Sequence, residues 1–494
     1  MRGELSKSRY CKGVRCSKIL WLDEHKPEMA SNEDLTDVIE VGIMVGELAR
    51  GYFGEYSLVQ FHPSKEAMVD ETVRLLEDGS KCIAEASFLY DGCFCSVDIL
   101  RKTESGYDLI EVKSSTEVKL EHIYDVSYQY YVLFKSGIPV NKVYIMHINN
   151  QYVRQGDIDL QGLFVMEDCT DIVREKQTFV EQKIHDIREY LQFEEEPEKD
   201  IDICCDKPEE CAYYNYCRRL LPNESIFDIK NLRTSQKYKI YKDGIVSFED
   251  IIRVRPKITD KQMRQVETAY YHKSDHIEKN KIKEFLDTLS YPLYHLDFET
   301  YSPVIPDFDN MHPYAKVPFQ YSIHVEKGDG TLEHLEFLAE AGSDPRRLLA
   351  ESLVKDIPEN TCVLAFNMGF EKSVIRSLAE LYDDLSDHLL NIRENIHDLM
   401  IPFSNQYYYS EAMKGSYSIK YVLPALFPDD PELDYHNLEG IHHGGEAMSA
   451  FVNMQKMSPE EVEITRKNLL KYCGLDTFAM VKVLKKLREA VKEE

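Results

Sequence analysis

Three groups of side chains in this sequence have the types and spacing to do chemistry. The first is Asp98 with Glu111-Val112-Lys113. Phe88 to Leu100 and Tyr107 to Val112 read as two strands joined by a turn at Glu104-Ser105-Gly106. Side chains alternate across a strand, so Glu111 and Lys113 share a face, and hairpin pairing brings Asp98 beside them. Two converging carboxylates suit Mg²⁺ or Mn²⁺. The ion would polarise a phosphate and lower the pKa of a bound water. Lys113 would hold that water and offset charge in the transition state. A helix expected over Glu121 to Phe134, stopping near Gly137, carries Gln129 as a positioning residue. Asp plus Glu-x-Lys is equally the pattern of an amphipathic hairpin with a wet face.

The second group is sulfur. Cys205, Cys211 and Cys217 are evenly spaced in CCDKPEECAYYNYC, and Cys16 lies far upstream in KSRYCKGVRCSKILWL. Three clustered thiols and one distant thiol could clamp the ends of one domain. Thiolates suit an iron–sulfur cluster or zinc. The short knuckles usual for structural zinc are absent. Reduced cysteines without a cofactor are the plain alternative, and Cys11 and Cys204 are spare thiols.

The third group is acidic. Leu296-Asp297-Phe298-Glu299-Thr300 puts two carboxylates on one face at the end of an apolar strand. Tyr472 and Asp476 are four apart on a helix expected over Arg466 to Arg488, so they share a face. Between them lie Asn367-Met368-Gly369-Phe370-Glu371, where a strand hands over to a helix, and His397-Asp398-Leu399. Each fragment alone is common on protein surfaces, whereas the ordered set is far more specific.

The elements that must position these groups form three blocks. The first runs from residue 1 to 221 and ends in the cysteine cluster. Just before it, Glu194, Glu195, Glu196, Glu198, Asp200 and Asp202 face only Lys199 and read as a solvated connector. Residues 222–281 read as a polar helical connector with a turn at Asp243-Gly244, loosely like a helix-hairpin-helix. Residues 282–494 read as successive strands over Leu293 to Phe298, Phe319 to Val325 and Leu332 to Leu338. A helix (Pro345 to Lys355), a strand (Thr361 to Phe366) and a helix (Glu371 to Tyr382) follow. Strands mixed with helices in both large blocks indicate an α/β multidomain protein. His442-His443-Gly444-Gly445 reads as a turn.

Composition bounds the reading. The 494 residues carry 59 Lys+Arg and 87 Asp+Glu, a formal charge of −28, with 43% hydrophobic residues. That excludes a mainly disordered chain and one that coats nucleic acid or anionic membrane by bulk attraction. A local basic cluster remains at the start: Arg2, Lys7, Arg9, Lys12, Arg15 and Lys18 against Glu4. No apolar run approaches the roughly 18–20 residues of a membrane span, and Ile19 to Leu22 is too short for a signal-peptide core. The expectation is a cytoplasmic protein with no membrane partner, whose 12 cysteines are not disulfides. Scattered thiols such as Cys82, Cys169, Cys362 and Cys473 are expected in cores.

The segment VDILRKTESGYDLIEVKSSTEVKLEHIYDVSYQYYVL resembles the RecB-like branch of the PD-(D/E)XK nucleases. The resemblance implies catalytic roles for Asp98, Glu111, Lys113 and Gln129, with metal on Asp98 and Glu111. Gly46 stands where related nucleases have a metal-binding His, with Glu47 beside it. The RecB-like nucleases with iron–sulfur domains are similar in having one early Cys and three late ones. By that resemblance Cys16, Cys205, Cys211 and Cys217 hold a 4Fe–4S cluster. The acidic set resembles the DEDD superfamily of 3′→5′ exonucleases, which have a ribonuclease-H-like fold, and Tyr-x3-Asp points to its DEDDy subclass. It implies metal on Asp297, Glu299, Glu371 and Asp476, with Tyr472 orienting the attacking water. Glu371 stands where an Asp is usual, and Asp398 braces the site. The order of modules is similar to bacterial fusion proteins of the domain-of-unknown-function 2779 type. The implied function is metal-dependent hydrolysis of nucleic acid, DNA ahead of RNA. The alternative is a nucleic-acid-binding scaffold with one or both sites inactive.

Overall fold

The computed structural model describes residues 4–31 and 36–492, so Arg2 lies outside the described residues. It is an α/β multidomain protein of two units. Unit 1 comprises Met1–Leu220 with Pro303–Ala315, and unit 2 comprises Leu221–Ser302 with Lys316–Glu494. Among the described residues no helix is long and apolar enough to cross a membrane.

Unit 1 is built on seven strands: β1 (Leu5–Ser6), β2 (Ser57–Leu58), β3 (Cys82–Tyr90), β4 (Cys93–Thr103), β5 (Gly106–Lys113), β6 (Val140–Ile148) and β7 (Phe164–Asp168). Their order is β2-β3-β4-β5-β6-β7, with β1 beside β4. Strands β3, β4 and β5 form an antiparallel meander. The helix Leu120–Lys135 then crosses over to β6, which is parallel to β5. The single strand expected over Phe88 to Leu100 is two strands. Asp91 and Gly92 both adopt positive φ (45° and 69°), the backbone of a tight hairpin turn that the Asp-Gly pair favours.

Strand β5 is buried on both faces. Leu109 packs in one core with Tyr128 and Val132 of the crossover helix. Ile110 packs in another with Val45 and Ala49 of the helix Thr36–Arg50. Glu111 therefore shares the face of Leu109 and points toward the crossover helix. Residues 303–315 also pack in unit 1. Val304 joins the core of Ile99 and Ile110. Arg154 donates to the carbonyls of Pro306 and Asp307, and the Tyr314 hydroxyl bonds the Ser114 carbonyl.

Unit 2 contains β8 (His276–Ile277), β9 (Leu293–Tyr301), β10 (Val317–Glu326), β11 (Leu332–Leu338), β12 (Cys362–Ala365), β13 (Ile396–Asp398) and β14 (Tyr408–Tyr409). Five of them form a mixed sheet, β11-β10-β9-β12-β13. Strand β10 runs antiparallel to β9 and β11 antiparallel to β10, while β12 runs parallel to β9 and β13 parallel to β12. Leu296 and Phe298 of β9 face a core with the helices Arg346–Asp356 and Gly369–Leu381. The alternate residues face the 32-residue helix Pro459–Ala490, longer than the expected span because Ser458 and Glu461 form a capping box ahead of it.

The connector folds with unit 2 as the helices Thr234–Lys242, Phe248–Val254 and Asp260–Tyr271. Gly244 makes the turn between the first two at φ +79°. Gln265 donates to the Lys414 carbonyl and Lys261 to that of Ser404.

Candidate active site

In unit 2 the face of β9 turned toward the long helix carries Asp297 and Glu299, and that helix returns Tyr472 and Asp476. All four line one cleft of about 850 Å³. Oxygens of Asp297 and Glu299 and the sulfur of Cys473 lie within 4.8 Å of one another. Cys473 was expected to be a core thiol. It is buried, but its Sγ sits 3.9 Å from Asp297 Oδ2. The helix Gly369–Leu381 supplies Glu371 in its first turn. Glu371 does not line the cleft, yet its charge acts on the Asp297 carboxyl. Asp398 braces the turn before that helix. Its Oδ1 accepts from Asn367 N at 3.0 Å and Met400 N at 2.9 Å, and Asn367 takes φ +75°.

The acids are not neutralised by the protein. Among the described residues none of Asp297, Glu299, Glu371 and Asp476 has a Lys, Arg or His partner within 4 Å, although many surface carboxylates do. Burial raises the Asp297 carboxyl well above the usual range, and Asp476, Glu299 and Glu371 add to the rise. Burial, then Asp476, raises Glu299. Burial pushes Glu371 up to about 8 against the pull of its own backbone N–H. Burial pushes Asp476 up to about 6, opposed by the Tyr435 hydroxyl and the charge of Lys420. Glu371 Oε2 is buried with no hydrogen-bond partner. Four carboxylates without a basic partner within 4 Å among the described residues, one of them with an orphaned oxygen, fit hard divalent cations.

The cleft holds further residues beyond the acidic set. The Tyr435 hydroxyl donates to Asp476 Oδ1 at 2.5 Å. Lys420 lines the same wall. The His442-His443-Gly444-Gly445 segment, read as a turn, lies in the cleft. His443 caps the helix Gly444–Asn453, and a side chain at Gly444 would come 3.6 Å from Glu299 Oε2.

In unit 1 the sequence-expected residues also converge. Carrying the Ile99–Ile110 register one step places Asp98 opposite Glu111, and Asp98 Oδ2 accepts from Val112 N at 2.7 Å. Lys113 Nζ donates to Glu111 Oε1 and to Asp125 Oδ2, both at 2.6 Å. Gln129 Nε2 donates to Glu111 Oε2 at 2.7 Å and to Asp125 Oδ1 at 2.8 Å. Glu85 sits opposite Asp98 at φ +58°, an uncommon backbone for a non-glycine residue. Asp125, Glu85 and above all Lys7 were not anticipated. Lys7 Nζ lies 2.7 Å from Glu111 Oε1. Burial works to raise the Glu111 carboxyl, but the charges of Lys113 and Lys7 overcome it and hold the group well below the carboxylate range. Burial and Glu111 push Asp98 up to about 7. Gly46 offers no ligand and Glu47 is exposed. This set does not fit a divalent ion: both oxygens of Glu111 are taken and a fixed ammonium already lies among the acids.

The cysteines gather at the end of unit 1. Cys16 hydrogen-bonds Cys204, which also bonds Cys205, and Cys211 and Cys217 feel the charges of Cys16 and Cys205. Cys211 N donates to the Cys205 carbonyl at 2.9 Å. The bond to Cys204 brings the Cys16 thiol down to about 5, with Lys199 assisting against burial. The bond to Cys204 likewise brings Cys205 down to about 6. Thiols that ionise easily are the form that metals bind. The acidic stretch is more than a solvated connector. Glu196 is clamped by Lys18 at 2.8 Å and Lys26 at 2.7 Å, and it accepts from the Tyr216 hydroxyl.

Residues 294–418 match the family model for a domain of unknown function, DUF2779. The matched segment holds Asp297, Glu299, Glu371 and Asp398 and ends before Tyr472 and Asp476. Two curated relatives are similar. Uncharacterized protein UU173 of Ureaplasma parvum is 26% identical over 160 residues, 30% of this chain and 23% of the relative. Uncharacterized protein MG366 of Mycoplasma genitalium is 25% identical over 245 residues, 43% of this chain and 34% of the relative. The chain thus spans about a quarter to a third of the length of these relatives.

Proposed function

We propose that the chain is a metal-dependent nuclease whose chemistry takes place in the unit 2 cleft, releasing nucleotides 3′→5′ from DNA ahead of RNA. The observation that carries this reading is the convergence of Asp297, Glu299 and Asp476 with Tyr472 in one cleft, where Glu299 is buried, the other two acids are half-buried, and none has a basic partner within 4 Å among the described residues. The mixed sheet with the Asp-x-Glu pair on its central strand supports the ribonuclease-H-like assignment. Two divalent ions bound by Asp297, Glu299, Glu371 and Asp476 would supply polarisation of the phosphate and an activated water.

The protein's own part follows from its side chains. Burial and the Asp476 charge raise the Tyr472 phenol, so it stays neutral and orients water through its hydroxyl rather than acting as a phenolate. Tyr435 holds Asp476 in one orientation. Lys420 offsets phosphate charge at the cleft wall. In unit 1, Cys16, Cys205, Cys211 and Cys217 would hold a 4Fe–4S cluster that ties the first helices to the last turn of the unit. Its role is structural.

The test uses 5′-labelled single-stranded DNA, duplex DNA and RNA with Mg²⁺ or Mn²⁺. The expected result is 3′ shortening by the wild type and none by Asp297→Ala. Full activity in that variant, or intact substrates throughout with the wild type, refutes the proposal.

A further inference from the structure

We propose that in unit 1 the ammonium of Lys7 stands in the place of a divalent cation, so that this carboxylate site is closed to catalytic metal. The proposal concerns a different site from the unit 2 cleft and does not depend on hydrolysis there.

The argument starts from the oxygens. Glu111 Oε1 accepts from Lys7 Nζ at 2.7 Å and from Lys113 Nζ at 2.6 Å, while Oε2 accepts from Gln129 at 2.7 Å. A carboxylate offers about four lone-pair sites, so little remains for an ion that demands close, well-directed oxygens. Lys7 Nζ also lies 3.9 Å from Asp125 Oδ1, and its charge acts on Asp98. It thus sits between Glu111 and Asp125, with its charge felt by Asp98. Three carboxylates face two ammonium groups there, so the local charge is already nearly balanced. Gln129 Oε1, a neutral amide oxygen, is buried there without a hydrogen-bond partner.

Lys7 is held there by the fold. It opens the helix Lys7–Arg15, which Ser6 caps. Leu5 is fully buried and pairs with Cys93 of β4, and its carbonyl accepts from the Tyr128 hydroxyl. Tyr10, one turn on, stacks on Tyr128 with ring centroids 4.5 Å apart. The crossover helix that carries Gln129 and Asp125 therefore also fixes the helix that carries Lys7. The ammonium is built in rather than offered by a free tail.

The experiment is Mn²⁺ titration followed by electron paramagnetic resonance on the full chain carrying Asp297→Asn and Glu299→Gln, which cripples the unit 2 ligand set. With Lys7 intact, no Mn²⁺ site sensitive to Asp98→Asn is expected. Adding Lys7→Met should create one such site, at least roughly tenfold tighter than any in the parent. Lys7→Gln replaces Lys7→Met if circular dichroism shows that the latter does not fold. An Asp98-dependent site in the chain that keeps Lys7 overturns the proposal, whatever the variants do. So does a folded Lys7 variant that gains no Mn²⁺.

Discussion

Replacing Glu371 with Gln should stabilise the metal-free protein while removing activity. Glu371 is buried, its Oε2 has no partner, and its carboxyl is pushed up to about 8. In the unfolded chain a Glu titrates near 4.3. At pH 7 the folded state must therefore keep a proton that the unfolded state releases. At about 1.36 kcal/mol per pH unit between 4.3 and 7, that costs on the order of 4 kcal/mol. Gln avoids this cost but buries an amide N–H where Oε2 now stands alone, a penalty of about 1 kcal/mol. The net gain is about 3 kcal/mol, or roughly 6–12 °C in the unfolding transition of a unit this size. The sign with pH follows from the raised folded value. Wild-type stability falls as pH rises from about 4.3 toward about 8, and the Gln variant lacks that fall, so the gap opens with pH. Scanning calorimetry in EDTA between pH 5 and 8.5 measures it. Mn²⁺ should then raise the wild-type transition more than the variant's. A variant that unfolds at or below the wild-type temperature at pH 8, or a gap independent of pH, refutes the reasoning.

Three further outcomes are expected. Tyr472→Phe removes the hydroxyl beside Asp476 and should lower kcat roughly 10²-fold with KM little changed, read by nucleotide release. Tyr435→Phe removes the bond that holds the Asp476 carboxyl down, so the acid limb of the kcat/KM profile should move to higher pH. An unmoved limb would mean that Tyr435 does not act through Asp476. Cys211→Ser should strip colour from anaerobically purified protein that otherwise carries roughly four iron atoms per chain. A colourless, zinc-loaded wild type would reject the cluster.

Much of the site was legible because its residues sit on regular elements. Asp297 and Glu299 are two apart on a strand, and Tyr472 and Asp476 four apart on a helix, so each pair shares a face by geometry alone. Periodicity could not show which pairs meet, or what else comes to meet them. Lys7 and Tyr435 reach Glu111 and Asp476 across 104 and 41 residues, Asp125 meets Lys113 across 12, and only tertiary packing makes them neighbours. The fold was misread where local backbone overrode pattern. The apolar run from Phe88 to Leu100 reads as one strand, yet Asp91-Gly92 folds it back. The same Asp-Gly signal was recognised at Asp243-Gly244, where no apolar run concealed it.

Two carboxylate sites in one chain can be compared by how each balances its charge. In unit 1 Glu111 is buried and strongly acidic, which is tolerable only because Lys7 and Lys113 lie within hydrogen-bond distance. Breaking such a pair leaves an uncompensated buried charge, so these lysines are structural whatever else they do. In unit 2 no cation meets Asp297, Glu299, Glu371 or Asp476 within 4 Å among the described residues, and all four carboxyls are raised. A protein gains no stability from acids held in that state. Burial without compensation makes sense if the compensating charge comes from solution. The chain's formal charge of −28 sharpens the point. A polyanion has little to bind in the unit 2 cleft until divalent cations reverse its sign, so substrate affinity there should rise with Mg²⁺ or Mn²⁺ before any bond is cut. Fluorescence anisotropy with the Tyr472→Phe variant and a non-hydrolysable oligonucleotide measures this. Binding equally tight in EDTA would show that the cleft acids are not where the strand lies.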